Sequence, residues 1–283
     1  DYKSEEIENK TRLEYNFEKN NYSINIGANL EDATYTNNTT QKFTVGDSII
    51  TGINNSNLHF IKYGVFTQIS KTYFANSLTS SFGLRIDGNS FTESTNSPNL
   101  SPRLSLAYNL NNKISINSNI GRFYQLPSYT ILGFDNNGNY LNKDADYISC
   151  DHAVIGLEYS PSSYSKITLE SFYKSYNNYP FSILDSISLA NLGGDFGVVG
   201  NEDISSISKG NSYGLEFLAQ QKMSSSIYGI LSATYYRSRF EDKNEQLISS
   251  SWDNRFILNM TAGKKFKNNI ELGFKYRYSG GSP

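Results

Sequence analysis

Few residues in this chain are of types and spacings that could do chemistry. Asp135-Asn136-Asn137-Gly138-Asn139, followed by Asp144 and Asp146, places oxygen ligands at alternate positions, as a calcium loop does. It lacks the EF-hand glycine at the sixth position, and Asp146 stands where a bidentate Glu belongs. The expected cofactor is therefore none, with calcium in Asp135–Asp146 as the alternative. Cys150 and His152 lie two apart and share one side of a strand, but two ligands are too few for a tetrahedral metal site. His152 falls opposite Ile155, Leu157 and Tyr159, so it is not placed as the histidine of a lipid-facing hydrolase site. Gly193-Gly194-Asp195-Phe196-Gly197 contains a kinase-like Asp-Phe-Gly without the Gly-rich loop, strand lysine or catalytic-loop Asp a kinase needs, and reads as a loop turn. No catalytic residue and no metal site is assigned. What remains is binding chemistry: Phe123, Tyr124, Gln125, Tyr176 and Tyr179 carry rings with polar tips that suit sugars and chelates, with Asp135 and Asn137 beside them.

The elements that must position these residues alternate with period 2. In Ser97–Tyr129, Leu104, Leu106, Tyr108 and Leu110 point one way and Arg103, Ser105, Ala107 and Asn109 the other. Asn111-Asn112 turns the chain, and Ile114, Ile116 and Ile120 alternate with Ser115, Asn117 and Asn119 on the way back. The same unit recurs at Leu13–Leu30, Ile61–Ile86, Ala153–Tyr176, Tyr213–Phe240 and Phe256–Tyr278. That predicts an all-β antiparallel meander of about twelve strands, each roughly 9–14 residues, with no helical period. Short turns alternate with long loops: Glu31–Asn57, the segment to Cys150, Tyr179–Lys209 and the shorter Glu241–Ser250. Residues 1–283 read as a single domain.

Composition narrows the class. The 283 residues are 37% hydrophobic and 14% aromatic, with 22 Tyr and 17 Phe, which suits a thin two-faced wall better than a thick core. The balance of 25 basic and 27 acidic residues gives no footprint for nucleic acid. One cysteine excludes an intrachain disulfide. No apolar run is long enough for a transmembrane helix, which leaves a strand-built membrane protein open. Arg85, Arg103, Arg122, Glu158, Glu170, Glu216, Glu271, Lys275 and Arg277 are read as falling opposite the apolar face, as charges of a lumen wall. In a soluble sandwich that polar face meets bulk water; in a barrel it lines the lumen while the apolar face meets lipid. Strand length and the asymmetry of the loops favour the barrel, with aromatic girdles near the strand ends.

The string SPRLSLAYNLNNKISINSNIGRFYQLPSY resembles the mid-barrel segment of TonB-dependent outer-membrane receptors, as do Lys209–Glu216, Ser251–Phe256 and Arg277–Pro283, in a style similar to receptors of Bacteroidota. The resemblance implies part of a barrel of about 22 strands with short periplasmic turns and long extracellular loops, in the Gram-negative outer membrane. It implies a plug domain and barrel ends outside this sequence. It further implies energised import of a scarce nutrient, whether iron chelate, vitamin, oligosaccharide or peptide, with no chemistry on the substrate. The partners implied are outer-membrane lipid, the TonB complex through the plug, and a surface lipoprotein where the cargo is a glycan or peptide. A passive porin or smaller complete barrel, an outer-membrane enzyme and a soluble β-sandwich adhesin are the alternatives.

Overall fold

A computed structural model describes residues 2–45, 48–93, 99–136, 138–193, 199–224, 226–268 and 270–281, with backbone alone at 41–45, 48–50 and 52–54. The chain forms β1 (Tyr2–Lys19), β2 (Tyr22–Val45), β3 (Ser48–Tyr73), β4 (Leu78–Asn89), β5 (Asn99–Asn111) and β6 (Ile114–Gln125). A loop follows with α1 (Tyr129–Leu132), β7 (Asp135–Asn136) and β8 (Asn139–Tyr140). Then come β9 (Ile148–Ser162), β10 (Ser165–Ser182), β11 (Ile187–Ser188) and a 3-10 turn at Leu189–Asn191. The chain ends in β12 (Ile204–Ser224), β13 (Ile227–Glu241), β14 (Leu247–Ser249), β15 (Phe256–Lys265) and β16 (Glu271–Ser279). Twelve long strands pair antiparallel in the order β1-β2-β3-β4-β5-β6-β9-β10-β12-β13-β15-β16, each with its neighbours in sequence.

Local chemistry sets the short turns. The Asn111 side chain accepts the N–H groups of Lys113 (2.8 Å) and Ile114 (3.0 Å), which folds β5 back into β6 without a glycine. Asn20 takes positive φ (53°) at the β1–β2 turn, a region asparagine tolerates better than most residues. Period 2 then carries one apolar face across the whole sheet. Leu13 sits beside Ala28, Ala28 beside Val65, Val65 beside Ile86 and Ile86 beside Leu100. Across this face the large side chains stay open on their outer side: Leu13 is 73%, Ile155 57% and Phe274 56% exposed. Soluble monomers rarely leave a contiguous apolar surface of this extent. At its loop-side margin stand Tyr63, Tyr173, Tyr213, Tyr235, Phe256 and Tyr278, a row of aromatics suited to a membrane interface.

The segment Glu31–Asn57, expected as a loop, is strand instead. β2 and β3 run 24 and 26 residues and stay in register from Tyr22↔Lys71 to Val45↔Ser48. The misreading has a physical cause. Below Leu30 the apolar residues are even-numbered and face outward, whereas Ala33 and Tyr35, with Leu58 and Phe60 opposite, put their apolar groups on the other face. There they are buried, between 0 and 3% exposed. The strand continues while the environment changes sides, and the sequence pattern breaks where the backbone does not.

Those four residues anchor the one hydrophobic cluster of the described residues. Tyr129, Ile131 and Leu132 from α1, Ala145, Leu189 and Ile204 complete it, with Phe91, Leu126, Tyr140 and Tyr179 packed against it. Three loops and one hairpin therefore make a small folded cap on the polar face. Its hub is Asn142, 0% exposed. Its amide donates to the carbonyls of Ile131 (2.7 Å) and Glu202 (2.9 Å) and accepts from the Ile204 N–H (3.0 Å), joining two loops sixty residues apart.

Candidate functional site: a polar cavity under the loop cap

Where the cap meets the wall, a cavity of about 450 Å³ opens between β2–β6 and the loop from Leu126 to Tyr147. Its floor is charged and ordered. Arg85 is held by Asp87 through Nε (2.7 Å) and Nη2 (2.5 Å), and donates to Asn29 (2.9 Å). Lys62 bridges Glu8 (2.6 Å) and Glu31 (2.8 Å), and Lys10 adds a second contact to Glu8 (2.5 Å). Tyr129 donates its hydroxyl to the same Glu8 carboxylate and lies under the Lys62 ammonium, 5.2 Å from Nζ to ring centre. This ties α1 of the cap to the wall. Hydrogen bonds from Lys10, Lys62 and Tyr129 pull Glu8 down to about 2, and burial pushes the Tyr129 phenol up to about 12.

Arg103 is different. Its guanidinium stacks over the Phe123 ring at 4.3 Å, and no carboxylate among the described residues pairs with it. Phe123 in turn meets the His152 ring at 5.8 Å. Gln125 and Tyr124 line the cavity at the end of β6. Tyr176 and Tyr179 lie further round, packed on Phe240 at 5.3 and 4.7 Å. They help close the wall beneath the cap and do not line this cavity; burial raises both phenols. Asp135 spends a carboxylate oxygen on the Gly138 N–H (2.7 Å), closing the β7–β8 turn. Asn137 and 194–197 lie outside the described residues. Among the described residues no three His, Cys, Asp or Glu side chains gather as a metal site.

Register places the remaining charges. Glu158, Glu170 and Glu216 share the polar face, with Glu170 directly opposite Glu216 and Glu158 paired to Lys166 (2.5 Å). Glu271 accepts from the Tyr228 hydroxyl (2.6 Å), and Lys275 and Arg277 stand on the same face of β16. Arg122 does not. It follows Ile120 by two residues on an unbroken strand, and Arg122↔Asp151 lies in the same outward row set as Ile120↔Ala153. Gly121 and Phe123 take the polar face instead. Arg122 is thus an outward residue paired to Asp151 at 2.7 and 2.6 Å, and its assignment to the lumen wall is corrected.

The pieces now fit one architecture: an antiparallel meander, apolar outside, charged inside, with long loops folded over one end. The family described as TonB dependent receptor-like, beta-barrel matches residues 1–282. The chain belongs to that family. Solved structures agree on the fold. The ferric-catecholate import receptor Fiu from E. coli K12 superposes with a TM-score of 0.70 at 13% identity, over 99% of this chain and 44% of that one. The ferric enterobactin receptor PfeA from Pseudomonas aeruginosa gives 0.66 at 16%, over 99% and 42%. The copper transporter OprC gives 0.68 at 11%, over 98% and 43%. The chain thus spans less than half the length of these receptors. No curated protein matches it in sequence.

With the TonB-dependent receptor barrel as the frame, the polar face is the lumen side and the cavity sits at the loop end of the lumen. The sequence reading named Arg85, Arg103, Tyr124 and Gln125, which line it, and Phe123, which stacks against Arg103 beside it. It missed Glu8, Lys62, Tyr129 and Asn142. The signal available for them was the switch of apolar parity at Ala33 and Tyr35, which marks where the inside of the wall becomes a packed surface.

Proposed function

We propose that this chain is the wall and mouth of an outer-membrane receptor that captures a scarce small molecule from outside and passes it inward by energised transport. The observation that carries this reading is the polar cavity itself: a charged floor on the lumen side of a receptor-family wall, roofed by loops sharing one core. Within it Arg103, stacked on Phe123, and the Gln125 amide remain for a ligand, because the lining cations Lys62 and Arg85 are already paired. Fiu is a ferric-catecholate import receptor and PfeA a ferric enterobactin receptor, so an iron chelate is the first cargo to test, before a vitamin, oligosaccharide or peptide. Energy reaches the wall through a plug domain that engages the TonB complex as a separate partner. A surface lipoprotein is a further partner if the cargo is a glycan or peptide.

The test is uptake by cells carrying the full-length gene. Growth on a single limiting iron chelate is expected to require both the receptor and TonB. Arg103→Gln is expected to raise the concentration needed for half-maximal uptake by about tenfold. Uptake that persists without TonB would instead mark a passive pore.

A further inference from the structure

The outward face holds an apolar groove of about 950 Å³ across β4, β5, β6, β9 and β10. Register sets its central row: Leu104 beside Ile120, Ile120 beside Ala153, Ala153 beside Tyr173. Ala153, short between Ile120 and Tyr173, makes this row a trough. One row nearer the loops, Arg122 and Asp151 form their bidentate pair, with Ser175 beside Asp151 and Tyr124 above. Both side chains stay open, 44% and 47% exposed. A second outward groove of about 720 Å³, around Ala28, Val65 and Leu84, is also apolar; among the described residues no outward arginine–carboxylate pair borders it, and the Asp32–His59 contact stands beyond the Leu30–Tyr63 row.

Resting on the reading that this face meets the outer leaflet, we propose that the first groove is a binding site for one phosphorylated glycolipid. An acyl chain lies along the Leu104–Tyr173 row, the phosphate docks on Arg122, and a sugar hydroxyl donates to Asp151. The geometry leaves room for this. Asp151 occupies Nε and one terminal nitrogen of Arg122, and a guanidinium has five N–H donors, so others remain for a phosphate. The carboxylate retains lone pairs for hydroxyl donors. An ion pair this exposed contributes little to stability, so sharing it with a headgroup costs little. A headgroup with phosphate alone would be repelled by Asp151, whereas one with donors next to its phosphate matches both charges.

The full-length receptor, extracted from a Gram-negative host in mild detergent and washed, is assayed for retained lipid A and phospholipid by native mass spectrometry and lipid extraction. Wild type is expected to keep lipid A through the wash. Arg122→Gln and Ala153→Leu are each expected to lower that retention by about tenfold, with Arg122→Lys intermediate and Ala28→Leu, in the second groove, unchanged. Heat-modifiable migration on gels reports folding of every variant, and if Ala153→Leu fails to fold, the Arg122→Gln and Arg122→Lys pair decides. Equal retention in wild type and Arg122→Gln, or retained lipid that mirrors the bulk membrane, overturns the proposal. Normal uptake without lipid retention defeats this site alone; a protein that stays monodisperse without detergent defeats the membrane reading beneath it.

Discussion

Single residues decide how firmly the cap holds. Asn142 satisfies three backbone groups from two loops while fully buried, so Asn142→Ala leaves those groups unpaired and is expected to cost roughly 2–4 kcal/mol of cap stability. Hydrogen exchange should then accelerate in 126–147 and 183–204 while β5 and β6 stay protected. Glu8 gives the cap a pH dependence whose sign follows from its cause. Its folded carboxyl lies at about 2, against an ordinary value of 4.5, so the contribution is complete above 4.5 and is lost as pH falls toward 2. Exchange around Tyr129 should rise across that window, and Glu8→Gln should abolish the rise. Glu202 is shifted the other way: burial raises its carboxyl, with Asp185 adding to the effect. Glu202→Gln keeps an acceptor for the Ser182 hydroxyl and is expected to leave the cap as stable or more so at neutral pH.

At the scale of elements, the strands were readable because lipid outside and water inside enforce period 2, and Asn111 marked its turn correctly. Legibility failed where that contrast disappears. Above Leu30 the apolar side of β2 and β3 changes, so Ala33 and Tyr35 looked like loop residues. Arg122 looked like a lumen charge because charge was taken as a sign of the inner face; near the girdle an ion pair is tolerated outside. Phe240, near the loop end of β13 where girdle aromatics belong, is instead 1% exposed and a lumen-side core residue. The Ser251-Trp252-Asp253-Asn254-Arg255-Phe256 string acquires a structural reason. Asp253, 0% exposed, accepts from the Ser238 N–H (2.9 Å) and Arg237 Nε (3.1 Å), and so fixes the loop onto β13 before β15 begins. Asp253→Ala strands Arg237, itself only 18% exposed, and is expected to cost about 3–5 kcal/mol. Limited proteolysis should show new cleavage within 242–255 and none in the wall.

The whole molecule depends on its two faces meeting two different solvents. A charge placed on the outward face at mid-wall, as in Leu157→Arg, is expected to cost about 2–4 kcal/mol of folding into vesicles, whereas Asn119→Arg on the lumen face should fold nearly as well as wild type. The most direct test is spin-label accessibility along β9 in the full-length receptor in bilayers, with Cys150 and any cysteine outside these residues replaced by Ser and labels placed singly at residues 153–158. Labels at Ala153, Ile155 and Leu157 should collide with dissolved oxygen, and those at Val154, Gly156 and Glu158 with a water-soluble nickel chelate, in strict alternation. Equal access of the nickel chelate to both sets would contradict a wall between lipid and lumen.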